Sequence, residues 1–536
     1  MADNSKLYFN GDIYTVDDRA PSVDAVAVRH GVILSAGTVA ECKKALGPDY
    51  EEIDLKGAAM LPGFIDSHLH PVLMIYFDMN VNLFAVPSIV ELQRVLRETA
   101  ARKNPGAWVI GLNFDEQYFD RPVLPTRHDL DIACPDIPAI VVKHDGHMLI
   151  ANTRAIEAGG VSAGTSAPDG GVIDREADGY PAGPFRENAM ALILGKMPLP
   201  SEDDFAKASA SAFGRLASYG ITSAGVVLQT SEEGPGGDIG AFDIPVLQML
   251  SERIPISMYG LIASPDPETV RSMLVPPLHG DGPGPMRRIG AIKLFSDGTF
   301  ASCTAFMREP FTDQPDKSGF MVIAPDELYR RMEAAHLAGF QLAIHAIGDA
   351  ANRTCIDLYE RLLKTHPRAD HRHRLEHASI LDPSMIADVK RLGLVISSQP
   401  MFIHSEKLWL HRRFGDERSK WIYPFRSLLE AGVTLAGASD TPVESADVLH
   451  GIQCCVTREG FETQECISAA EAIRMYTINA AHAQFEENEK GSISPGKRAD
   501  FVILDRNPVR VDPGEISSIR VLKTIVGGDV IYPLNR

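Results

Sequence analysis

Two imidazoles at i and i+2, His68 and His70, follow the apolar run Leu61-Pro-Gly-Phe-Ile65. In an extended strand, side chains alternate faces, so both rings point the same way with their backbones roughly 6.6 Å apart. That spacing lets both converge on one ion. It equally suits a polar strand end that is hydrogen-bonded to its neighbours. Pro71, which has no N–H to donate, ends the ladder. Four more ionisable side chains sit in or just after short apolar runs. They are Lys293 in Ala-Ile-Lys-Leu-Phe, His345 in Ala-Ile-His-Ala, His377 in Arg-Leu-Glu-His and Asp440 in Ala-Ser-Asp-Thr-Pro. Taken singly, His377 reads as structural and Asp440 as a cap or turn former, while Lys293 has Asp297 or Glu376 as a partner. Taken together, six such groups at the tips of buried strands are costly unless they are paired or metal-bound.

Those groups need strands to carry them. Residues 61–485 alternate short apolar runs with amphipathic segments such as Pro325–Ala338 and Asp382–Leu392, a pattern of βα units around a parallel sheet. Strands are expected near 62–68, 221–228, 254–262, 289–295, 341–345, 373–377, 394–399 and 433–439. Eight units predict a closed α/β barrel, whose active sites form at the carboxyl ends of the strands. The interval after the first strand is too long for one crossover. Residues of about 75–200 therefore form an inserted subdomain, with strands near Trp108–Leu112 and Ala139–Lys143. The two chain ends look β-rich. Lys6–Val16 has an Asn10-Gly-Asp12 turn between two short strands, and His30-Gly31 marks a second turn. Phe501–Asp505, Ser518–Val526 and Asp529–Tyr532 supply strands from the other end. Residues 1–60 plus 486–536 are thus expected to build one sheet domain.

The chain has 536 residues, 45% hydrophobic and 23% charged, as ordinary globular proteins do. Its net charge of −19 disfavours nucleic acid or an anionic membrane as a partner. Seven cysteines, an odd number with no Cys-x-x-Cys pair, argue against a disulfide framework and for reduced thiols in a cytoplasmic protein. No run approaches the length of a membrane span, and no apolar targeting segment precedes the first strand.

The motifs resemble those of the amidohydrolase superfamily, in its YtcJ-like, metal-dependent branch (N-substituted formamide deformylase-like). The resemblance runs over nearly the whole chain. It rests on Leu61–His70, Asp145-Gly-His-Met148 with Asn152, Gly183–Asn188, Lys293–Gly298, His345–Asp349, Arg374–His377, Ser439–Val443, Thr477–Ala481 and Gly491–Asp500. It implies a (β/α)8 TIM barrel beside a composite β-sandwich. It also implies two divalent ions, usually zinc: one held by His68, His70 and Asp440, the other by His345 and His377, with carboxylated Lys293 as the bridge. A metal-activated hydroxide would then attack a carbonyl, with Asp440 as general base and acid. His147 would hydrogen-bond the substrate carbonyl or oxyanion, or else be a satisfied loop histidine, and Arg374 and Glu376 would support the ligands.

The implied substrate is a small amide-like molecule cleaved at a C–N bond, and the implied assembly is a homodimer. An ester, lactone or cyclic amide hydrolase, or a decarboxylase, fits the same metal site. A non-catalytic scaffold fits less well, because no ligand position is missing. Relatives often carry Trp where this chain has Phe114, which makes Phe114 a substrate-binding candidate among aromatic residues otherwise expected in the core. His404, after the seventh strand, either faces substrate or is a hydrogen-bonded surface group.

Overall fold

The structure, a computed structural model, describes residues 5–103, 106–143, 148–168, 171–198, 200–230, 240, 242–276, 278–280 and 287–533. The chain divides into two compact units, Met74–Ser209 and the combination of Met1–Leu73 with Ala210–Arg536.

In the larger unit, eight strands form one all-parallel sheet in chain order. They are β1 (Phe64–Leu69), β2 (Ile221–Gln229), β3 (Ser257–Ala263), β4 (Arg287–Phe295), β5 (Gln341–Ala346), β6 (Arg374–His377), β7 (Val395–Ser398) and β8 (Thr434–Gly437). Most of their residues are buried, as in parallel sheets covered on both faces. The two edge strands meet at their carboxyl ends. Asp440 N donates to His68 O (2.8 Å) and His70 N donates to Thr441 O (2.9 Å). The sheet is therefore a nearly closed barrel.

A second sheet in the same unit mixes both chain ends. Its order is Asp529–Tyr532, Val521–Val526, Phe501–Leu504, Ala59–Pro62, Ser5–Tyr14, Ser22–Arg29 and Val32–Gly37, with Glu51–Asp54 also on Ser5–Tyr14. The first barrel strand, expected at 62–68, starts later because Pro62 belongs to this other sheet, antiparallel to Phe501. At Gly63 the chain passes from one sheet to the other. Gly63 N donates to Asp500 O (2.9 Å), and Phe64 N donates to Gly220 O (3.0 Å). There is no room for a side chain at that step, since a Cβ would run into Thr222.

Two expectations need correction. Ser5–Tyr14 is one strand, not two around a turn. Asn10, at φ 57°, lies within a register irregularity between Phe9 and Ile13, and the strand continues past it. The expected Ser518–Val526 strand begins at Val521, because Pro513–Ser518 forms a 3-10 helix with proline in its first turn. His30-Gly31, at φ 51° and 75°, does reverse the chain as a hairpin turn.

The smaller unit is a six-stranded mixed sheet, in the order Gly171–Arg175, Pro181–Glu187, Met148–Ala151, Ala139–Lys143, Val109–Phe114 and Val81–Asn82. Alternate residues feed separate cores. Ile140 and Leu149 pack in one cluster, and Val141 and Ile150 in another. Among the described residues, no helix is long and apolar enough to cross a membrane. All seven cysteines are free thiols.

Beneath β5 and β6, buried histidines are wired by hydrogen bonds. Leu342 N donates to His373 Nδ1 (3.0 Å), so His373 Nε2–H donates to His336 Nδ1 (2.8 Å). His336 Nε2–H in turn donates to His366 O (3.0 Å). Each ring has one nitrogen that must accept, so each must be neutral. Burial, reinforced by His371, Arg368 and His336, holds His373 well below the usual histidine range. The unfolded chain therefore takes up the extra proton first. Stability is complete above about pH 6.5, the ordinary histidine value, and falls as pH drops below it.

Two outcomes are expected. The urea midpoint should drop between pH 7.5 and pH 5.5, with a shallower drop in His373→Gln; a midpoint that did not move with pH would refute the neutral network. Gly63→Ala should cost about 1–3 kcal/mol in the same assay, through overpacking against Thr222.

Candidate metal centre

β1 carries His68, and His70 follows directly after it. Asp66 Oδ1 accepts from His68 N (3.1 Å) and from Ser439 N (3.1 Å). With the backbone bonds that join β1 to the segment after β8, this holds Asp440 against both histidines. His70 Nε2 is 3.0 Å from Asp440 Oδ1, and His68 Nε2 is 3.4 Å from the same oxygen. The ligating atoms of His68, His70 and Asp440 all lie within 4.8 Å of one another.

The other expected groups cluster there too. His377, at the end of β6, has its ring centroid 5.2 Å from that of His68 and 4.5 Å from that of His345 on β5. Lys293 on β4 is fully buried, and its Nζ has no hydrogen-bond partner among the described residues. Its Nζ lies 4.9 Å from the centroid of the Phe295 ring. Neither Asp297 nor Glu376 pairs with it. Asp297 instead accepts from the N–H groups of Phe306, Ile347 and Gly348 and so ties the loops after β4 and β5 together. Glu376 is engaged elsewhere. It takes a 2.5 Å hydrogen bond from His68 Nδ1 and a 2.6 Å bond from Arg374 Nε, all three groups being buried.

These contacts fix protonation. Burial, with help from Lys293, pushes His68 down to about 4, so the ring is neutral at pH 7. Burial opposes ionisation of Glu376, but Arg374, His68 and Lys293 outweigh it and hold the carboxyl well below its usual range. Neutral His68 therefore donates through Nδ1 and turns the lone pair of Nε2 toward Asp440. Burial likewise opposes ionisation of Asp440, but the His70 hydrogen bond and the nearby His68 and His377 hold it low. A carboxylate oxygen and an imidazole lone pair thus face each other at 3.4 Å, an arrangement that calls for a cation between them. His345 Nε2–H donates to Gly298 O (3.1 Å) and His377 Nδ1–H to Gln399 Oε1 (2.9 Å), which leaves each ring one lone pair. Burial pushes Lys293 down to about 8, so the free amine is accessible near neutral pH. Imidazoles, a carboxylate and a neutral buried amine fit a divalent cation such as zinc.

His377 (φ 69°), Ala378 (φ 47°) and Asp440 (φ 63°) all adopt left-handed backbone. Such conformations cost about 1–3 kcal/mol each and persist where surrounding structure enforces them.

Not every expected residue joins this cluster. His147 lies outside the described residues. Phe114 is wholly buried in the smaller unit's own core, edge-on to Phe119 at 5.4 Å, so it offers no open face to a substrate. Asn152 is buried and spends its amide on backbone: it accepts from Ala139 and Ala155 and donates to Cys134 and Ile137. Two contributors were overlooked. Asp66 sits two residues before His68, and its place on the same strand face was the available signal. Gln399, just beyond β7, had none.

A model described as the amidohydrolase family matches residues 51–532. YtcJ of Bacillus subtilis is 31% identical over 98% of this chain and 99% of its own length. The N-substituted formamide deformylase of Arthrobacter pascens is 31% identical over 98% of each chain. A solved structure of an uncharacterized metal-dependent hydrolase from Pyrococcus horikoshii has a TM-score of 0.77 and 27% identity, and covers 95% of this chain and 99% of that one.

Glu376→Ala strands the buried Arg374 guanidinium and frees the tautomer of His68. It should cost about 3–5 kcal/mol in denaturant unfolding, the range for breaking a buried ion pair. A loss below 1 kcal/mol would mean the pair is screened by solvent.

Proposed function

Because the chain belongs to the amidohydrolase family, we propose that it is a metal-dependent hydrolase that cleaves the C–N bond of a small amide-like molecule, such as an N-acyl or N-formyl amine. The observation that carries this proposal is Asp440 Oδ1 poised against the lone pair of His68 and the ring of His70, beside Lys293, buried and with no hydrogen-bond partner among the described residues. The formamide deformylase relative supports the substrate class.

His68, His70 and Asp440 would hold one divalent ion, and His345 and His377 a second. Lys293, carboxylated by CO2, would supply shared oxygen donors. Bound cations would make water more acidic and polarise the substrate carbonyl. The chain's own groups do the rest. Asp440, ionised at neutral pH, accepts the proton of the attacking water as the new C–O bond forms. It then delivers that proton to the departing nitrogen as the C–N bond breaks, so the amine leaves neutral. Glu376 keeps His68 in the tautomer that presents Nε2, and Asp66 keeps Asp440 and His68 in register. Lys293 can react with CO2 because burial favours its uncharged amine, which loses one proton as the carbamate forms.

The test is an activity screen of N-acylated and N-formylated amines, with matched esters, on zinc-reconstituted protein. Amide turnover is expected; turnover of the esters alone would replace the C–N assignment. Asp440→Asn should lower kcat by about 10²–10⁴-fold, the usual contribution of a general acid–base, with little change in melting temperature. Lys293→Ala should lose bound metal and regain part of it with added short-chain carboxylates. Full activity of either variant in metal-free buffer would refute the mechanism.

A further inference from the structure

We infer that the chain carries another divalent-cation site, of zinc-binding character, built from His404, His450 and Glu459. None of these residues belongs to the barrel-centre cluster. His404 lies on the helix Met401–Ser419 that follows β7, and His450 on the helix Val448–Thr457 that follows β8. Glu459 stands in the turn after that second helix.

Their ligating atoms fall within 4.8 Å of one another. One carboxylate oxygen, Glu459 Oε1, is 2.9 Å from His404 Nδ1 and 3.0 Å from His450 Nε2. The two rings sit 4.6 Å apart at 68°. The two N···O separations lie slightly inside the roughly 3.3–3.6 Å between ligand atoms of a tetrahedral zinc with bonds of about 2.0–2.2 Å, so the side chains need to part by only a few tenths of an ångström to admit an ion. Each imidazole becomes an acceptor by moving its proton to its other ring nitrogen. The second oxygen of Glu459 is engaged by Lys407 and also lies 3.0 Å from His404 Nδ1, while the first reaches both histidines. The Cys454 thiol lies 3.8 Å from that first oxygen. Two imidazoles, one carboxylate and a nearby sulfur favour zinc over magnesium or calcium.

The site is also held in place beforehand. Arg458 (φ 49°) and Glu459 (φ 47°) adopt consecutive left-handed conformations. Arg458 is wholly buried, and its guanidinium donates to Tyr423 O (2.8 Å), Phe461 O (2.9 Å) and Ile422 O (3.0 Å), which pins the turn. Asp447 Oδ1 accepts from His450 N (3.2 Å) and anchors the start of the second helix. Lys407, His450 and His404 all point a nitrogen at the Glu459 carboxylate. His404 is exposed, which gives an ion and a completing water access. An ion here would staple the helix after β7 to the helix after β8.

A plain hydrogen-bonded network of the same residues would bind no metal, and that difference is measurable. Full-length protein is equilibrated with zinc, desalted and assayed for zinc per chain by mass spectrometry. Wild type should retain one zinc more than His404→Ala, and one more than His450→Ala, which repeats the test from the other helix. The same difference should persist when each change is combined with Asp440→Asn, which separates this site from the barrel centre. Added zinc should also raise the melting temperature of wild type above that of both variants. Equal zinc content in wild type and both single variants would overturn the site, whatever the barrel-centre cluster does.

Discussion

Closure of the barrel between its first and last strands is the constraint on which the candidate centre depends. β1 and β8 are far apart in the chain, yet Asp440 N reaches His68 O and His70 N reaches Thr441 O. Asp66 adds a side-chain link to Ser439 across the same seam. These bonds place a carboxylate against two imidazoles, and they do so with backbone, the least adjustable material available. The left-handed conformation of Asp440 follows from that demand. Its cost is offset by the closed hydrogen-bond ladder around it.

Around this seam the buried charges are arranged in a chain. Arg374 neutralises Glu376, Glu376 orients His68, and His68 faces Asp440. Removing any one group would leave the next unsatisfied in a low-dielectric interior. Lys293 stands outside the chain, buried and without a hydrogen-bond partner among the described residues. A cationic ammonium there would be costly. The depressed affinity of Lys293 for its proton and the lone pairs of the neighbouring imidazoles are two aspects of one environment, an apolar cage lined with donors for something positive.

Much of this was legible in the residues themselves. The eight apolar runs announced strands because parallel strands buried on both faces read as continuous hydrophobic stretches. The ionisable group at the end of five of them marked one end of the sheet. Other features were hidden. Asn10-Gly-Asp12 has the composition of a turn, yet its strand continues because pairing with Ser22–Arg29 resumes beyond the irregularity. Phe114 looked like a substrate contact by position, but tertiary packing places it inside a core. The partition of Ala59–Pro62 from β1 turns on one crowded glycine, and no local pattern separates two apolar strands joined end to end. Glu459, His404 and His450 become neighbours only through the packing of two helices.

The hand-over at Gly63 bears on how the molecule is born. The strand just before it pairs with Phe501–Leu504, and the strand just after it is closed by the segment beyond β8. Both partners emerge from the ribosome late, so early in synthesis the segment bearing His68 and His70 has neither neighbour. The stretch before Gly63 can pair early with Ser5–Tyr14, but the candidate metal centre is completed only once the segment beyond β8 has been made.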